Sequence, residues 1–218
     1  MTSVWILAAV ALAALAYAWF RRWFLRDPER TVPPGDDTLV SPADGRVLRV
    51  LAYDLAVDPD VAVIPKGMLG AYRTLLSDVS PKGWIVSVFM SPLDVHVNRV
   101  PMAGEVVSQT HVPGRFGRAD RFPHSFLENE KNEVVLRRGD VSIKVIQVAG
   151  ALARRIRWWV GPGQKVEKGQ RYGLIDLGSQ CTVILPADRF SVSVAEGERV
   201  YAGTTVIARR LPLPEHAA

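Results

Sequence analysis

The dipeptide Gly178-Ser179, in the segment LIDLGSQ (174–180), is the part of this sequence that could most directly take part in a reaction. Glycine permits a strained turn, and a serine placed after it holds its hydroxyl beside the carbonyl that precedes it. The simpler interpretation is a turn that closes one strand before residues 182–185 (TVIL) begin the next. On this segment alone both interpretations stay open.

Two other polar residues lie in short motifs, and each has an ordinary structural explanation. Asp44 lies in SPADG, where Asp-Gly is a favoured turn dipeptide, and His96 lies in SPLDVHVNR. The four histidines are too dispersed for a metal motif such as H-E-x-x-H, which argues against a zinc hydrolase. The single cysteine, Cys181, excludes an intramolecular disulfide and is more simply a buried small side chain than a nucleophile.

An apolar leader precedes these motifs. Eighteen of the first twenty residues are hydrophobic, and residues 4–20 carry no charge. As a helix this stretch spans about 26 Å, close to the roughly 30 Å of a bilayer core. We predict a single membrane anchor over residues 1–30, because a cleavable signal peptide needs a basic N-terminal region and an interfacial helix needs a polar face.

Arginines follow the leader directly, at positions 21, 22 and 26. The positive-inside rule then predicts that the remainder of the chain lies in the cytoplasm, attached to the cell (inner) membrane. The formal charge of +5 raises the question of nucleic-acid binding, but the basic residues form no dense tract. We attribute the three arginines to the anionic membrane surface and predict no nucleic-acid partner.

The remainder of the chain, residues 31–218, predicts a mainly β (β-rich α+β) fold with a compact, sandwich-like core. Short apolar runs separated by glycine and proline predict strands over 47–52, 84–90, 133–136, 141–148 and 182–185. The alternation within 141–148 predicts one buried face. A short helix start is predicted over 151–159 and a long loop over 111–131.

Two segments share the pattern G-x-x-V-x-x-G, at 163–169 and 197–203. The pattern predicts glycine turns that lead into short strands, each with an inward-pointing valine. The spacing is similar to that of biotinyl and lipoyl β-sandwich modules, but the modifiable lysine in its Met-Lys-Met or Asp-Lys-Ala setting is absent. We therefore infer a similar fold from this spacing, but not the swinging-arm function of those modules.

Four separated motifs together resemble the phosphatidylserine decarboxylases, and the short membrane-anchored form of that proenzyme family most closely. They are SPADGRV (41–47), FMSPLDVHVNRVPMAGEV (89–106), QVAGALARRI (147–156) and RYGLIDLGSQCTVILP (171–186). The resemblance runs in the same order from about Leu39 to Arg209, so it covers nearly all of the chain that follows the leader.

The resemblance implies self-cleavage between Gly178 and Ser179 into a β chain, 1–178, and an α chain, 179–218. Ser179 would become a pyruvoyl group, so that neither a metal nor pyridoxal phosphate is expected. That group would form a Schiff base with the amine of phosphatidylserine, accept the electrons released with carbon dioxide and yield phosphatidylethanolamine. His96 and Asp44 are the polar catalytic partners that the resemblance implies, with Asp44 orienting the imidazole.

The sequence departs from the family pattern at two positions. Many relatives have a second histidine three residues after the first, where this chain has Arg99, and a small hydroxyl residue where it has Gln180. Asn98 and Arg99 are candidate contacts for the substrate phosphate or carboxylate, with a structural salt bridge of Arg99 as the alternative.

The expected partners are a phospholipid, the membrane and the two chains of one precursor, and a homo-oligomer is left open. Two other functions are consistent with the sequence. One is a non-catalytic, membrane-anchored β-sandwich adaptor, and the other is a decarboxylase of a related serine-headgroup lipid.

Overall fold

The N-terminal apolar segment forms a helix that projects from the rest of the chain. In the computed structural model, which describes residues 2–66, 70–114, 129–150, 155–176 and 179–212, α1 spans Thr2–Trp19. One π-helical turn, Phe20–Phe24, extends it. Residues 4–19 are exposed, and Val4–Phe24 is the one helix in these ranges that is long and apolar enough to cross a membrane.

Strands account for most of the remaining described residues. They are β1 (Thr38–Val40), β2 (Gly45–Asp54), β3 (Val61–Pro65), β4 (Ala71–Leu75), β5 (Lys82–Met90), β6 (Val97–Arg99), β7 (Gly104–Val112), β8 (Lys131–Arg138), β9 (Val141–Val148), β10 (Ile156–Trp158), β11 (Lys165–Val166), β12 (Arg171–Ile175), β13 (Ser179–Pro186), β14 (Phe190–Val192), β15 (Arg199–Val200) and β16 (Val206–Arg210). The mainly β prediction is confirmed.

One large antiparallel sheet organises the fold. Its strand order is β11-β7-β8-β9-β13-β5-β2-β15, and two three-stranded sheets, β1-β16-β14 and β10-β12-β6, pack with it around the main hydrophobic core. The β3-β4 hairpin covers the opposite face and encloses a second, smaller core.

Strand β13 lies at the centre of this arrangement. It pairs with β5 on one side and β9 on the other, and each of its residues is buried. Cys181 and Val183 belong to the main core, whereas Ile184 belongs to the core beneath the hairpin. Burial of both faces explains why residues 183–185 are all apolar and why Gln180 and Thr182 are buried as well.

Strand β9 has the predicted bounds, Val141–Val148, but its environment differs from the prediction. Alternation predicted one buried face, whereas seven of its eight positions are buried, because the hairpin covers the second face. The Lys144 ammonium lies under that hairpin, 2.5 Å from a carboxylate oxygen of Asp78. Lys144, which the alternation would place on a solvent-facing side, is therefore buried against a carboxylate.

The two G-x-x-V-x-x-G segments form the predicted turns. Both glycines of each segment have positive φ, and the central valines, Val166 and Val200, are buried. The valines lie in β11 and β15, the short strands at the two edges of the large sheet.

The helix predicted over 151–159 is wrong for its described part. Ile156–Trp158 forms β10, which pairs with β12 from Gly173 to Ile175, and residues 151–154 lie outside the described ranges. The loop predicted over 111–131 is shorter at both ends, because His111 and Val112 belong to β7 and Lys131 begins β8. Residues 115–128 of that loop also lie outside the described ranges.

Candidate active site

Strand pairing brings two of the predicted site residues to one edge of the fold. Ser179 is the first residue of β13 and lies opposite Met90, the last residue of β5. His96 directly precedes β6, which pairs with β12, and its carbonyl accepts a hydrogen bond from the Ile175 amide at 3.4 Å. His96 and Ser179 therefore both contact the end of β12.

The Ser179 hydroxyl is fully buried and is held by backbone groups. It donates to the carbonyl of Asp176 at 3.1 Å, and the carbonyl of Ile175 lies at 3.4 Å. A donated proton leaves the oxygen lone pairs available for attack on a carbonyl carbon. Leu177 and Gly178, which complete the connection between β12 and β13, are outside the described residues.

The His96 imidazole has one engaged nitrogen and one free nitrogen. Nδ1 lies 2.9 Å from the carbonyl oxygen of Asp94. A carbonyl only accepts hydrogen bonds, so we assign the proton of the neutral ring to Nδ1. Nε2, which then carries the lone pair, is buried and has no hydrogen-bond partner among the described residues.

Burial keeps this imidazole neutral. It lowers the pKa of His96 from 6.5 to about 4, against the opposing effects of the Asp94 carbonyl and charge, while the charge of Arg26 lowers the pKa further. The Phe24 side chain is itself fully buried and packs on the imidazole with 4.0 Å between the ring centroids. At neutral pH the free Nε2 is a proton acceptor.

Asp176 is a further polar residue at this edge, and the sequence analysis missed it. One of its carboxylate oxygens, Oδ1, is buried without a hydrogen-bond partner in the described residues, and the other lies 3.7 Å from Arg157 Nη2. Burial raises the pKa of Asp176, and the nearby arginines oppose that effect. The sequence feature that could have pointed to Asp176 is its position three residues before Ser179.

Asp44 is buried but contacts the segment that follows the N-terminal helix. Its carboxylate oxygens lie 2.8 and 3.0 Å from Arg30 Nη2, and the Ala202 amide donates to Oδ1 at 2.7 Å. The imidazole nitrogen that Asp44 was expected to orient bonds the Asp94 carbonyl instead. Arg30 therefore binds the Asp44 carboxylate in this structure, and the role of Asp44 beside His96 stays a prediction.

Arg99 also binds the segment that follows the N-terminal helix. Its guanidinium contacts Asp27 Oδ1 at 2.8 Å, the Pro28 carbonyl at 3.0 Å and the Gly169 carbonyl at 3.1 Å. This is the structural salt bridge that the sequence left open as the alternative to substrate contact. Together with Arg30 it fixes the chain between the anchor and β1.

Asn98 is fully buried within a row of side-chain amides. Its Oδ1 accepts from Gln147 Nε2 at 2.9 Å, and Gln147 Oε1 accepts from Asn132 Nδ2 at 3.0 Å. These bonds connect β6 to β9 and β8. Substrate contact by Asn98 and Arg99 remains a prediction.

The arrangement fits a reactive group made from the protein itself. A buried serine begins a central strand, its hydroxyl touches the carbonyls just before it, and a neutral imidazole lies at the same strand end. The unpartnered His96 Nε2 and Asp176 Oδ1 are available to reacting atoms. These residues can therefore support acyl transfer and proton transfer in a water-poor site.

Comparisons with known proteins identify the family of this chain. A family model described as phosphatidylserine decarboxylase matches residues 17–208. The chain is 42% identical over 205 residues to a phosphatidylserine decarboxylase proenzyme of Symbiobacterium thermophilum, with 94% of this chain and 84% of that protein covered.

Two other relatives show the range of named substrates. A putative archaetidylserine decarboxylase proenzyme of Methanocaldococcus jannaschii is 39% identical, with 91% of this chain and 93% of that protein covered. A phosphatidylserine decarboxylase proenzyme of Erythrobacter litoralis is 41% identical, with 95% and 77% covered. The chain therefore belongs to the phosphatidylserine decarboxylase family and is a decarboxylase.

Proposed function

We propose that this protein converts phosphatidylserine to phosphatidylethanolamine with a pyruvoyl group made by self-cleavage between Gly178 and Ser179. The observation that carries the proposal is the buried Ser179 hydroxyl, 3.1 Å from the Asp176 carbonyl at the start of the central strand. Family membership supports the decarboxylation, and the site geometry supports the origin of the reactive group in the chain itself.

The first step of cleavage exchanges an amide for an ester. Ser179 Oγ attacks the Gly178 carbonyl carbon, its proton passes to a base, the C–N bond breaks, and the released nitrogen takes up a proton. His96 is the base we propose, because its Nε2 is unprotonated and unpartnered at neutral pH. Asp44 stays a predicted partner in this step, although its carboxylate contacts Arg30 in this structure.

The second step breaks the ester by elimination. A base removes the Ser179 Cα proton, the Cβ–Oγ bond breaks, and Gly178 departs as a carboxylate. The unsaturated residue 179 becomes an imine, and water hydrolyses it with release of ammonia. The pyruvoyl group that results supplies a carbonyl that takes up the electron pair released with carbon dioxide.

In turnover the protein must bind the headgroup, exclude water and return a proton to the carbon that loses carbon dioxide. We propose that His96 Nε2, which carries no proton at rest, takes up the proton that the substrate ammonium loses and delivers it to this carbon. The ring is already positioned by the Asp94 carbonyl on one side and by Phe24 across its face.

Archaetidylserine is a second candidate substrate. One relative is named for its decarboxylation, and this chain covers 93% of the length of that relative. Purified protein offered both lipids in separate micelles, with release of carbon dioxide as the readout, decides between them. We expect phosphatidylserine to be the faster substrate, and a clear preference for archaetidylserine would reverse the assignment.

We propose that Val4–Phe24 anchors the protein in the cell membrane, with the β-sheet part of the chain (the β domain, residues 31–218) in the cytoplasm beside its lipid substrate. The arginines that directly follow the apolar stretch support this orientation. Protease added to sealed spheroplasts should leave the β domain intact, and should digest it only after the membrane is opened. Digestion in sealed spheroplasts would reverse the orientation.

Cleavage would leave pieces of 178 and 40 residues that remain joined by the sheet. The shorter piece begins with β13, which is flanked by β5 and β9 of the longer piece. We therefore expect both pieces to copurify without a covalent link.

Intact mass measurement of the purified protein tests the proposal. We expect two chains, the shorter one blocked by a pyruvoyl group at position 179, and one uncleaved chain from Ser179→Ala. Ser87→Ala is the matched control, since Ser87 is equally buried and bonds Thr182 in the neighbouring strand. A single full-length wild-type chain in active membranes would contradict self-cleavage.

A further inference from the structure

Two lysines are buried in this fold, and they differ in their partners. The Lys144 ammonium lies 2.5 Å from a carboxylate oxygen of Asp78 and 3.5 Å from one of Glu133. Lys66 is only 5% exposed, and its ammonium donates to the Ala149 carbonyl, its one hydrogen-bond partner in the described ranges. Lys144 is therefore neutralised, whereas Lys66 lacks a carboxylate among the residues described.

The charge on Lys66 is costly in this position. Burial lowers its pKa from 10.5 to about 8, and no neighbouring charge opposes the effect. At pH 7 about nine in ten Lys66 side chains still carry the proton. An ammonium has three N–H donors, so this buried cation retains donors for a further acceptor.

The charged groups of the surrounding elements are engaged elsewhere. In the neighbouring strands and the hairpin, Lys131–Glu133 and Lys144–Asp78 form ion pairs, and His111 Nε2 lies 3.0 Å from a carboxylate oxygen of Glu130. Arg73, in the same hairpin, is exposed. Asp176, at the Ser179 end of β12, keeps one unpartnered carboxylate oxygen and faces Arg157 with the other, so the attraction for an anion comes from the Lys66 ammonium itself.

The Lys66 ammonium lies at the same sheet edge as Ser179. Val148, the last residue of β9, is opposite Gln180, so Ala149 continues the strand beside Ser179, about 5 Å away across the ladder. Lys66 directly follows β3, and its ammonium reaches the Ala149 carbonyl because the hairpin lies across the sheet. The hairpin is held there by the Tyr72 hydroxyl, which donates to the Thr182 hydroxyl oxygen at 2.6 Å.

A second polar group on the hairpin side of β13 has an unused atom. Gln180 Nε2 lies 3.4 Å from the Thr182 hydroxyl oxygen, while Gln180 Oε1 is buried without a partner among the described residues. The edge thus offers a cation that needs an anion and an amide oxygen that needs an N–H donor. A phosphoserine headgroup carries phosphate, carboxylate and amine.

We propose that Lys66 binds the anionic part of the lipid headgroup, phosphate or carboxylate, next to position 179. The assignment rests on the proposed function only for the identity of the ligand. The competing role is structural, in which Lys66 only holds the Ala149 carbonyl in place. The two roles differ in their effect on KM and in their dependence on pH.

The test compares Lys66→Met and Lys66→Arg in the full-length cleaved enzyme, with phosphatidylserine in detergent micelles. We expect Lys66→Met to raise KM at least tenfold with little change in kcat or in self-cleavage, and Lys66→Arg to retain most of the affinity. Lys82→Met is the control, because Lys82 is an exposed lysine at the opposite end of β5.

The pH dependence separates charge from packing. Wild-type affinity should fall as the pH rises through about 8, where Lys66 loses its proton, and the Lys66→Arg variant should lack this loss. An unchanged KM in Lys66→Met, or a loss confined to stability or self-cleavage, would overturn the proposal in favour of the structural role.

Calorimetric binding of phosphatidylethanolamine, which has the phosphate but no carboxylate, identifies the anion. Weaker binding of this product to Lys66→Met assigns Lys66 to the phosphate. A loss restricted to phosphatidylserine assigns it to the carboxylate, and unchanged binding of both lipids overturns the inference. Absence of decarboxylation by the wild type would instead contradict the proposed function, and the binding comparison would still test Lys66.

Discussion

The contact between Phe24 and His96 makes the end of the proposed membrane anchor part of the proposed catalytic site. Both side chains are fully buried, and their ring centroids are 4.0 Å apart. The difference between the ordinary histidine pKa of 6.5 and the value of about 4 for His96 corresponds to about 3 kcal/mol against charging the ring. Phe24→Ala should admit water and remove much of that penalty.

We expect Phe24→Ala to raise the pKa of His96 by one unit or more, toward 6.5. Asp94 and Arg26 still contribute in this variant, and both remain next to the ring. If the pKa reaches 6, about one quarter of the imidazoles are neutral at pH 5.5, and a reaction that needs the neutral ring slows about fourfold there. At pH 8 the same variant should differ little from wild type.

The assay is a histidine-selective NMR titration of the full-length chain in micelles, in the uncleaved Ser179→Ala background. His96→Asn identifies the His96 signal among the four histidines. Self-cleavage rates with Ser179 present, measured at pH 5.5 and 8, give the functional readout. Trp19→Ala is the matched control, because it removes an exposed aromatic ring from the same anchor helix.

Two results would refute the reasoning. One is a wild-type His96 that titrates between pH 6 and 7, since burial would then have no effect on its charge. The other is a Phe24→Ala variant with an unchanged His96 titration, since the Phe24 ring would then not be the group that excludes water.

Three further predictions concern stability and the segment after the anchor. Because the folded pKa of His96 lies below its unfolded value, the unfolded state binds the extra proton, so the free energy of unfolding should fall by up to about 3 kcal/mol as the pH drops from about 6.5 to 4, and His96→Asn should lack this loss in denaturant titrations. Asp44→Asn should slow self-cleavage on gels while Arg30→Gln does not, whereas equal effects would assign Asp44 to the contact with Arg30 alone. Gly45→Ala should destabilise the protein by about 2 kcal/mol or more in thermal melts, because Gly45 has a φ of 152° and a Cβ there would lie 2.0 Å from the Phe89 carbonyl oxygen; an unchanged melting temperature would contradict this.

The strands that could be predicted are those with a strong local signal. The segment 141–148 alternates cleanly and forms β9 with the predicted bounds, and 182–185 lies within β13. The sequence could not show that the β3-β4 hairpin covers the second face of β9, because that packing joins residues far apart in the chain. The same limit explains the wrong helix at 151–159, where pairing of Ile156–Trp158 with β12 determines the local conformation.

The candidate site also combines residues that the sequence could indicate with residues that only the fold reveals. Ser179 and His96 stand out because each lies in a compact motif, and strand pairing places both at the end of β12. Lys66 and Phe24 carry no such signal, since one lysine or one phenylalanine is chemically ordinary until burial gives it particular neighbours. The partner of Asp44 likewise depends on the path of the segment that contains Arg30.

The central position of β13 has a consequence for how the protein can be unfolded and recovered. The precursor refolds as one molecule, since β13, β5 and β9 belong to a single chain. After cleavage the same sheet would have to reassemble from two molecules, at a rate that depends on their concentration. The mature enzyme would then persist because its sheet opens slowly, and a denatured sample would recover far less completely than the uncleaved Ser179→Ala protein.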